Sequence, residues 1–371
     1  MRPHFVEWYG NPLGLYRNAV AARSEISEAR QRVATFIGSD IDEVIFLSNG
    51  TEANNTAIKG LAWANENRGR HIVLSAVEHH SVLYAARSLE KQGFELSLIP
   101  VNTYGVVDLS KLDRAMRDDT ILVAVMHSND EVGSTQPIRE IGNLVHERGA
   151  LLHTDAVCSA GILPFDVKET PVDSASISAQ SMGGGQGAAA LFVRQGTRIR
   201  PLLDGGIQEN GRRGGQENTA AIVGFGVASA LAASEMSTRS SHVRALTLRL
   251  LNGLQHKISG IRLNGHPEHR IPGHLSLTIP DADSESVVLM LDADGVAASV
   301  GSSCSTHTEK SSHVLRAIGL SNRDARSTLL LTLGPSNTND EIDKTIVALS
   351  SIVDRLRLIA GANGSCHRVS Q

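Results

Sequence analysis

The sequence from Glu43 to Asn65 reads EVIFLSNGTEANNTAIKGLAWAN and predicts a strand, a turn and a helix in succession. Residues 43–47 form a short apolar run with branched and aromatic side chains, which is typical of a buried strand. Residues 48–51 supply turn residues, and a helix is expected from 52 to about 65. Free N–H groups at such a helix start can bind a phosphate, and an ordinary N-cap is the alternative.

Strand and helix patterns alternate for most of the chain. An amphipathic helix is predicted over residues 24–37, and two further helices over 224–237 and 241–258. The other predicted strands are 71–75, 95–100, 121–126, 150–153, 175–178 and 188–193. This order predicts an α/β protein with a mainly parallel sheet flanked by helices.

After residue 260 the pattern becomes mixed and predicts a smaller α+β domain. We therefore expect a large domain over residues 15–235 and a small domain made of 1–14 and 236–360. The polar tail, 361–371, is expected to be disordered.

The composition is that of an ordinary globular protein. Of 371 residues, 41% are hydrophobic and 20% are charged, and the net charge of −4 argues against a nucleic-acid binder. No apolar run of membrane-spanning length and no signal segment were found, so a cytoplasmic protein without a membrane partner is expected. The three cysteines, Cys158, Cys304 and Cys366, are far apart and form neither a disulfide framework nor a Cys-x-x-Cys metal site.

Several polar residues follow predicted strands. His79 could stack on a cofactor ring or be a solvated loop residue, and Asp155 could pair with a protonated pyridine nitrogen or cap a helix. The segment from Gly205 to Gly215 holds many glycines and two arginines. It could approach a phosphate closely or be a flexible surface loop.

Cys304 lies in the run Gly301-Ser302-Ser303-Cys304-Ser305-Thr306, among small polar residues. His307 and Lys310 are close enough in sequence to favour a thiolate. The alternative is an unreactive cysteine, since most free cysteines behave as small buried hydrophobes.

These segments together resemble the cysteine desulfurases, a family with the class V aminotransferase fold. The resemblance covers roughly residues 5–358, in order and spacing. The matching pieces are Gly10-Asn11-Pro12, Thr51–Gly60, Glu78-His79, Met126-His127, Gln136-Pro137-Ile138, Asp155-Ala156, Ser176–Ala179, Gln208-Glu209, Arg213, Ser303-Cys304-Ser305, His313–Ala317 and Glu341-Ile342-Asp343.

The resemblance implies the pyridoxal phosphate fold type I, which is also the fold of aspartate aminotransferase. In the family, a lysine holds pyridoxal phosphate as a Schiff base, and a mobile cysteine takes sulfur from free cysteine as a persulfide. The residue aligned with that cysteine is Cys304. The residues aligned with cofactor contacts are Gly50, Thr51, His79, Asp155, Ser178 and Gln180.

Several aligned positions depart from the family pattern. Where the family reads Ser-x-Ser-x-His-Lys, this chain ends in Gln180-Ser181, and a hydroxyl cannot form an imine. The arginine that should bind the substrate carboxylate aligns with Leu330, which removes a bidentate contact. Other aligned cofactor or substrate positions hold Asp130, Cys158, Asn210 and Gln216. Covalent binding of pyridoxal phosphate is therefore not expected.

Four functional hypotheses remain at this point. The chain could be a non-enzymatic relative whose Cys304 accepts or presents sulfur, or an enzyme that uses pyridoxal phosphate without an internal imine or through Lys310. It could also be a structural or regulatory subunit paired with an active desulfurase. In the fourth hypothesis Cys304 is one ligand of an iron–sulfur cluster held mainly by a partner. The resemblance further implies a homodimer, or a heterodimer with a related desulfurase, and a sulfur acceptor or iron–sulfur scaffold as partner.

Overall fold

The structure is a computed structural model that describes residues 1–301 and 312–366. Cys304, His307 and Lys310 lie outside the described residues. Two compact units are present: residues 1–100, 107–128 and 136–236 form the larger, and residues 101–106, 129–135, 237–301 and 312–366 form the smaller.

The larger unit contains a seven-stranded sheet in the order β1-β7-β6-β5-β4-β2-β3. Only β7 runs antiparallel to its neighbours, β1 and β6, and the other neighbouring pairs are parallel. The predicted mainly parallel α/β sheet is therefore confirmed. The strands are β1 (Val44–Leu47), β2 (His71–Ser75), β3 (Glu95–Ile99), β4 (Thr120–Ala124), β5 (Leu151–Asp155), β6 (Ser174–Ser178) and β7 (Ala189–Val193).

Six helices lie wholly in the larger unit. They are α1 (Arg2–Val6), α2 (Arg17–Ile37), α3 (Gly50–Asn65), α4 (His80–Glu90), α5 (Leu109–Ala115) and α6 (Ile138–Glu147). Helix α2 begins earlier than predicted and ends at Gly38, whose positive φ of 73° suits a residue without a Cβ. Short 3-10 turns occur at Ile41–Glu43, Gln180–Met182 and Gln208–Gly211.

Helix α3 packs on the sheet through one apolar face. Ala57, Ile58 and Leu61 from this face join a buried cluster that includes Ile45 of β1 and Leu74 of β2. Each large aliphatic side chain buried in this way stabilises the fold by about 1.5–3 kcal/mol. The packing holds the first turn of α3 in place beside the sheet.

The smaller unit is an α+β structure, as predicted. Its four strands, in the antiparallel order β10-β11-β9-β8, are β8 (Arg262–Leu263), β9 (His274–Thr278), β10 (Ser299–Val300) and β11 (Thr328–Thr332). Its helices are α8 (Ser284–Ala293), α9 (His313–Ala317), α10 (Asn322–Arg326) and α11 (Asn339–Cys366). Leu275, Leu329 and Leu349 belong to its apolar core.

One long helix, α7 (Thr219–Lys257), replaces the two helices predicted over 224–237 and 241–258, so that prediction is wrong. The polar run between them contains neither glycine nor proline. The Ser241 hydroxyl instead donates to the Ser237 carbonyl at 2.8 Å, a bond that a helix accommodates.

Helix α7 is also long and apolar enough to cross a membrane, with a mean hydropathy of 1.4 over its most apolar window. No run of membrane-spanning length was predicted from the sequence. Length and composition do not separate a spanning helix from a core helix, and 44% of that window is buried inside the protein.

Both chain ends differ from the expected domain pattern. The structure groups residues 1–14 with the larger unit, whereas they were expected in the small domain. The Arg23 guanidinium of α2 contributes to this placement, because it donates to the carbonyls of Pro12 and Gly14. The segment expected to be a disordered tail continues helix α11 as far as Cys366.

Candidate cofactor site at the carboxyl edge of the sheet

Polar residues gather where the parallel strands of the larger unit end. Gly50 follows β1, His79 follows β2, and His127 follows β4. Asp155 and Ser178 are the last residues of the adjacent strands β5 and β6. Because parallel strands end at the same edge, the fold brings these sequence-predicted residues to one side of the sheet.

The first turn of α3 forms one part of this edge. The Asn49 side chain caps the helix by accepting a hydrogen bond from the Glu52 N–H at 2.9 Å. A Cβ on Gly50 would lie 2.8 Å from the Val157 side chain, so only glycine fits this close approach. Thr51 follows and is exposed. The N–H groups of this turn and the Thr51 hydroxyl suit a phosphate.

Glu52 connects the start of α3 with the glycine-rich loop, which is the segment from Gly205 to Gly215. Its carboxylate accepts hydrogen bonds from the Ser48 N–H and hydroxyl and from the Arg213 guanidinium, which lies 3.0 Å away. Burial acts to raise the pKa of Glu52, but the hydrogen bonds from Arg213 and Ser48 outweigh it and lower the pKa. The pair therefore anchors the loop beside the helix terminus.

The glycine-rich loop is held more firmly than a flexible surface loop would be. Glu209 is buried and accepts two hydrogen bonds of 2.6 Å from Arg30 and one of 2.8 Å from the Phe46 N–H. Glu209 and Asn210 adopt φ angles of 49° and 57°, a strained region for residues with a Cβ. The buried ion pair holds this strained backbone in place.

A buried chain of hydrogen bonds connects His79 with Asp155. The His79 Nδ1 lies 2.7 Å from the Ser81 hydroxyl, and the Asn54 amide nitrogen lies 2.8 Å from the same hydroxyl. That nitrogen also donates to Asp155 Oδ2 at 2.6 Å, and the Val157 N–H donates to Asp155 Oδ1 at 2.9 Å. His79 and Asp155, the two residues that align with contacts to the cofactor ring, are therefore held by the same chain of hydrogen bonds.

His127 and Cys158 occupy the next part of the edge. Burial lowers the pKa of His127 to about 4, and its Nδ1 lies 2.8 Å from the Ser159 hydroxyl. The half-buried Cys158 thiol donates to the Ser128 carbonyl at 2.9 Å. A thiol that donates its proton in this way is not a thiolate, so Cys158 is a poor nucleophile in this arrangement.

Ser181 lies in the 3-10 turn that follows β6. Its hydroxyl donates to the Ser178 carbonyl at 2.9 Å, and its neighbour Gln180 is exposed. None of the six lysines within residues 1–301 and 312–366 is buried. The residues of this edge thus suit the ring and the phosphate of pyridoxal phosphate, but Ser181 offers no amine for a covalent bond.

The smaller unit contains Leu330, at the position predicted for substrate binding, and the buried residue Glu131. Leu330 lies in β11, where it pairs with Ser276 of β9, and it is half-buried. Glu131 is buried, and its carboxylate accepts a hydrogen bond from the Ser312 hydroxyl. Burial raises the pKa of Glu131 to about 8, against the Ser312 hydrogen bond and with a small contribution from the charge of Asp130.

Four residues with structural roles in these environments were not predicted from the sequence: Asn54, His153, Glu209 and Glu131. Asn54 and Glu209 fall inside the family-like motifs Thr51–Gly60 and Gln208-Glu209, which is the signal that could have identified them. His153 and Glu131 carry no local signal, because their environment is made by residues distant in the sequence.

The fold is that of a fold type I pyridoxal phosphate transferase. Within that class the chain belongs to the aminotransferase class-V family, whose sequence model matches residues 1–345. The resemblance found in the sequence is confirmed at the level of the family. The replacement of the Schiff-base lysine by Ser181 stays a prediction.

Relatives with assigned names are similar over nearly the whole chain. Cysteine desulfurase IscS 1 of Archaeoglobus fulgidus is 42% identical, over 96% of this chain and 93% of the relative. Cysteine desulfurase IscS of Methanosarcina thermophila is 41% identical, over 96% and 88%. A solved structure described as a NifS-like protein has a TM-score of 0.89 and 32% identity, over 95% of this chain and 94% of the other.

Proposed function

We propose that the protein handles sulfur as a cysteine-desulfurase-like protein whose ordinary desulfurase chemistry is lost. In this proposal Cys304 carries a persulfide or presents its thiol to a partner. The observation that carries the proposal is Ser181, which aligns with the family's lysine. Its hydroxyl donates a hydrogen bond to the Ser178 carbonyl. Similarity to relatives named cysteine desulfurases supports the sulfur chemistry.

Pyridoxal phosphate is proposed to bind without a covalent bond to the chain. The ring nitrogen would pair with Asp155, the ring would contact His79, and the first turn of α3 would hold the phosphate. When bound, the cofactor supplies an electron sink for amino-acid substrates. The half-buried, apolar Leu330 cannot pair with a substrate carboxylate as an arginine would, so free cysteine loses a principal contact.

Sulfur transfer to Cys304 needs no external oxidant. Its thiolate attacks the terminal sulfur of a donor persulfide, a new S–S bond forms, and the donor leaves as a thiolate. One sulfur atom moves and no net oxidation takes place. Among the other cysteines, Cys158 is half-buried and donates its thiol proton to a carbonyl. Cys158 should therefore take up sulfur more slowly than Cys304.

A second copy of the chain, or a related desulfurase, is proposed as the partner subunit. The N-terminal segment of the larger unit exposes several large apolar side chains, which supports an interface there. They include Phe5, Tyr9, Leu15 and Tyr16, with exposed fractions of 65%, 73%, 92% and 55%.

The test of the proposed function is sulfur uptake from an active desulfurase supplied with cysteine. Mass analysis of the wild type should find one added sulfur atom, which Cys304→Ser abolishes and Cys158→Ser leaves unchanged. Sulfide release from free cysteine, with dithiothreitol and added pyridoxal phosphate, should be negligible. Sulfide turnover like that of an ordinary desulfurase would favour an active enzyme, and no uptake at Cys304 would favour a structural or regulatory subunit.

A further inference from the structure

Asn54 is a buried amide at the centre of the candidate cofactor edge. It lies in α3 with 1% of its surface exposed. Its nitrogen donates one hydrogen bond to Asp155 Oδ2 at 2.6 Å and one to the Ser81 hydroxyl at 2.8 Å. Both N–H bonds of the amide are therefore used, one toward each side of the site.

His153 lies on the side of the Asn54 amide oxygen. The His153 ring is fully buried in β5, and burial lowers its pKa to about 3, so the ring is neutral. Its Nε2 lies 3.2 Å from Asn54 Oδ1, and its Nδ1 lies 2.9 Å from the Ser174 hydroxyl. Because an amide oxygen has no proton to give, Nε2 carries the ring proton and Nδ1 accepts from Ser174.

A rotated Asn54 amide would be strongly disfavoured. Its oxygen would then face the Asp155 carboxylate, which has no proton to donate. Two buried acceptors would lie against each other, which costs the desolvation energy of both groups. The orientation of Asn54 is thus determined by the Asp155 carboxylate, and the His153 N–H that donates to the amide oxygen supports it.

The fixed amide orients groups on both sides. Toward Asp155 it joins the Val157 N–H, so that both carboxylate oxygens accept from N–H donors. Toward His79 the direction also follows: the Ser81 hydroxyl accepts from Asn54 and gives its own proton to His79 Nδ1. The Ser81 N–H donates to the same ring nitrogen at 3.1 Å, which leaves the His79 proton on Nε2.

We propose that Asn54, supported by His153, is a positioning residue that aims Asp155 and His79 together at a protonated pyridine ring. The inference rests on the cofactor part of the proposed function. The ligand class is a 5′-phosphorylated pyridine whose ring nitrogen carries a proton, because Asp155 is held as an acceptor. Asn54 touches no ligand atom itself and acts through the two side chains.

The test uses 4-deoxypyridoxine 5′-phosphate, which lacks the aldehyde and cannot form an imine with any lysine. Its dissociation constant is measured by equilibrium dialysis, and the protonation of the bound ring is measured by NMR with a nitrogen-15 label in the ring. The wild type should bind it with the ring nitrogen protonated. Asn54→Leu should weaken binding about tenfold or more and lower the protonated fraction, since a charge-assisted bond supports that state.

Asn65→Leu is the matched control. Asn65 is also buried in α3, but its amide donates only to the Leu61 carbonyl at 2.8 Å. This variant should lose stability yet keep both the affinity and the ring protonation of the wild type. If Asn54→Leu does not fold, His153→Phe provides the test, because it leaves the Asn54 amide oxygen without its hydrogen-bond donor and should weaken binding in the same direction.

Two results would overturn the proposal. If folded Asn54→Leu and His153→Phe both bind with wild-type affinity and ring protonation, Asn54 serves the fold alone. If the wild type does not bind the probe, the cofactor part of the proposed function fails with it. Sulfur uptake at Cys304 is measured without this ligand, so its success or failure is separate.

Discussion

Replacing Glu131 by glutamine should make the protein more stable at alkaline pH. Burial raises the pKa of Glu131 to about 8 in the folded chain, from an ordinary value of 4.5. The folded state therefore binds more protons than the unfolded state between these two values. Stability from this group is complete below the unfolded pKa and is lost as the pH rises through about 8.

The size of the effect follows from the two pKa values. Between about pH 7 and about pH 9 the wild type should lose about 1.4 kcal/mol of unfolding free energy through Glu131. Burial lowers the pKa values of His153 and His274 to about 3 and about 4, so both rings stay neutral in this range. Their contribution to the pH dependence is small there, because unfolded histidine titrates near about 6.5.

The assay is scanning calorimetry of the wild type and Glu131→Gln at several pH values in this range. Glutamine keeps an oxygen that accepts from the Ser312 hydroxyl, so the variant should hold its stability while the wild type declines. Glu268→Gln, at an exposed position of the same unit, is the control and should follow the wild type. A stability difference between Glu131→Gln and the wild type that is constant with pH would refute the reasoning.

Three further outcomes are expected. After borohydride reduction in the presence of pyridoxal phosphate, peptide mass analysis should find no pyridoxyl-lysine in the wild type. The variant Ser181→Lys should carry the adduct at residue 181. An adduct on any wild-type lysine would contradict this prediction. Glu209→Ala should lower the unfolding free energy by about 3–5 kcal/mol, because it leaves the Arg30 charge without its buried partner. Glu28→Ala removes an exposed ion pair with Arg32 and should lower the unfolding free energy by less than about 1 kcal/mol. If calorimetry gives equal losses of unfolding free energy for Glu209→Ala and Glu28→Ala, burial is not the cause. Light scattering at micromolar concentration should give the mass of a dimer, and a monomer mass would count against the proposed interface.

The sequence by itself determined the fold class and the position of the candidate site. The run from Glu43 to Asn65 predicts a strand, a turn and a helix because hydrophobic periodicity and turn chemistry act over a few residues. The ends of the predicted strands then indicated His79 and Asp155 as candidate site residues, and the family resemblance added Ser178. The same local logic failed for α7, where two helices were predicted over 224–237 and 241–258 and the structure has one.

Only the tertiary structure decided how these groups are supported. The Asn54–His153 bond joins residues 99 positions apart, and the Arg30–Glu209 pair joins residues 179 positions apart. Neither partner has a local pattern that predicts the other. The raised pKa of Glu131 likewise comes from burial in the folded smaller unit. Hydrogen bonds and desolvation depend on which side chains the fold brings within a few ångströms of each other. The periodicity of the sequence does not predict those distances.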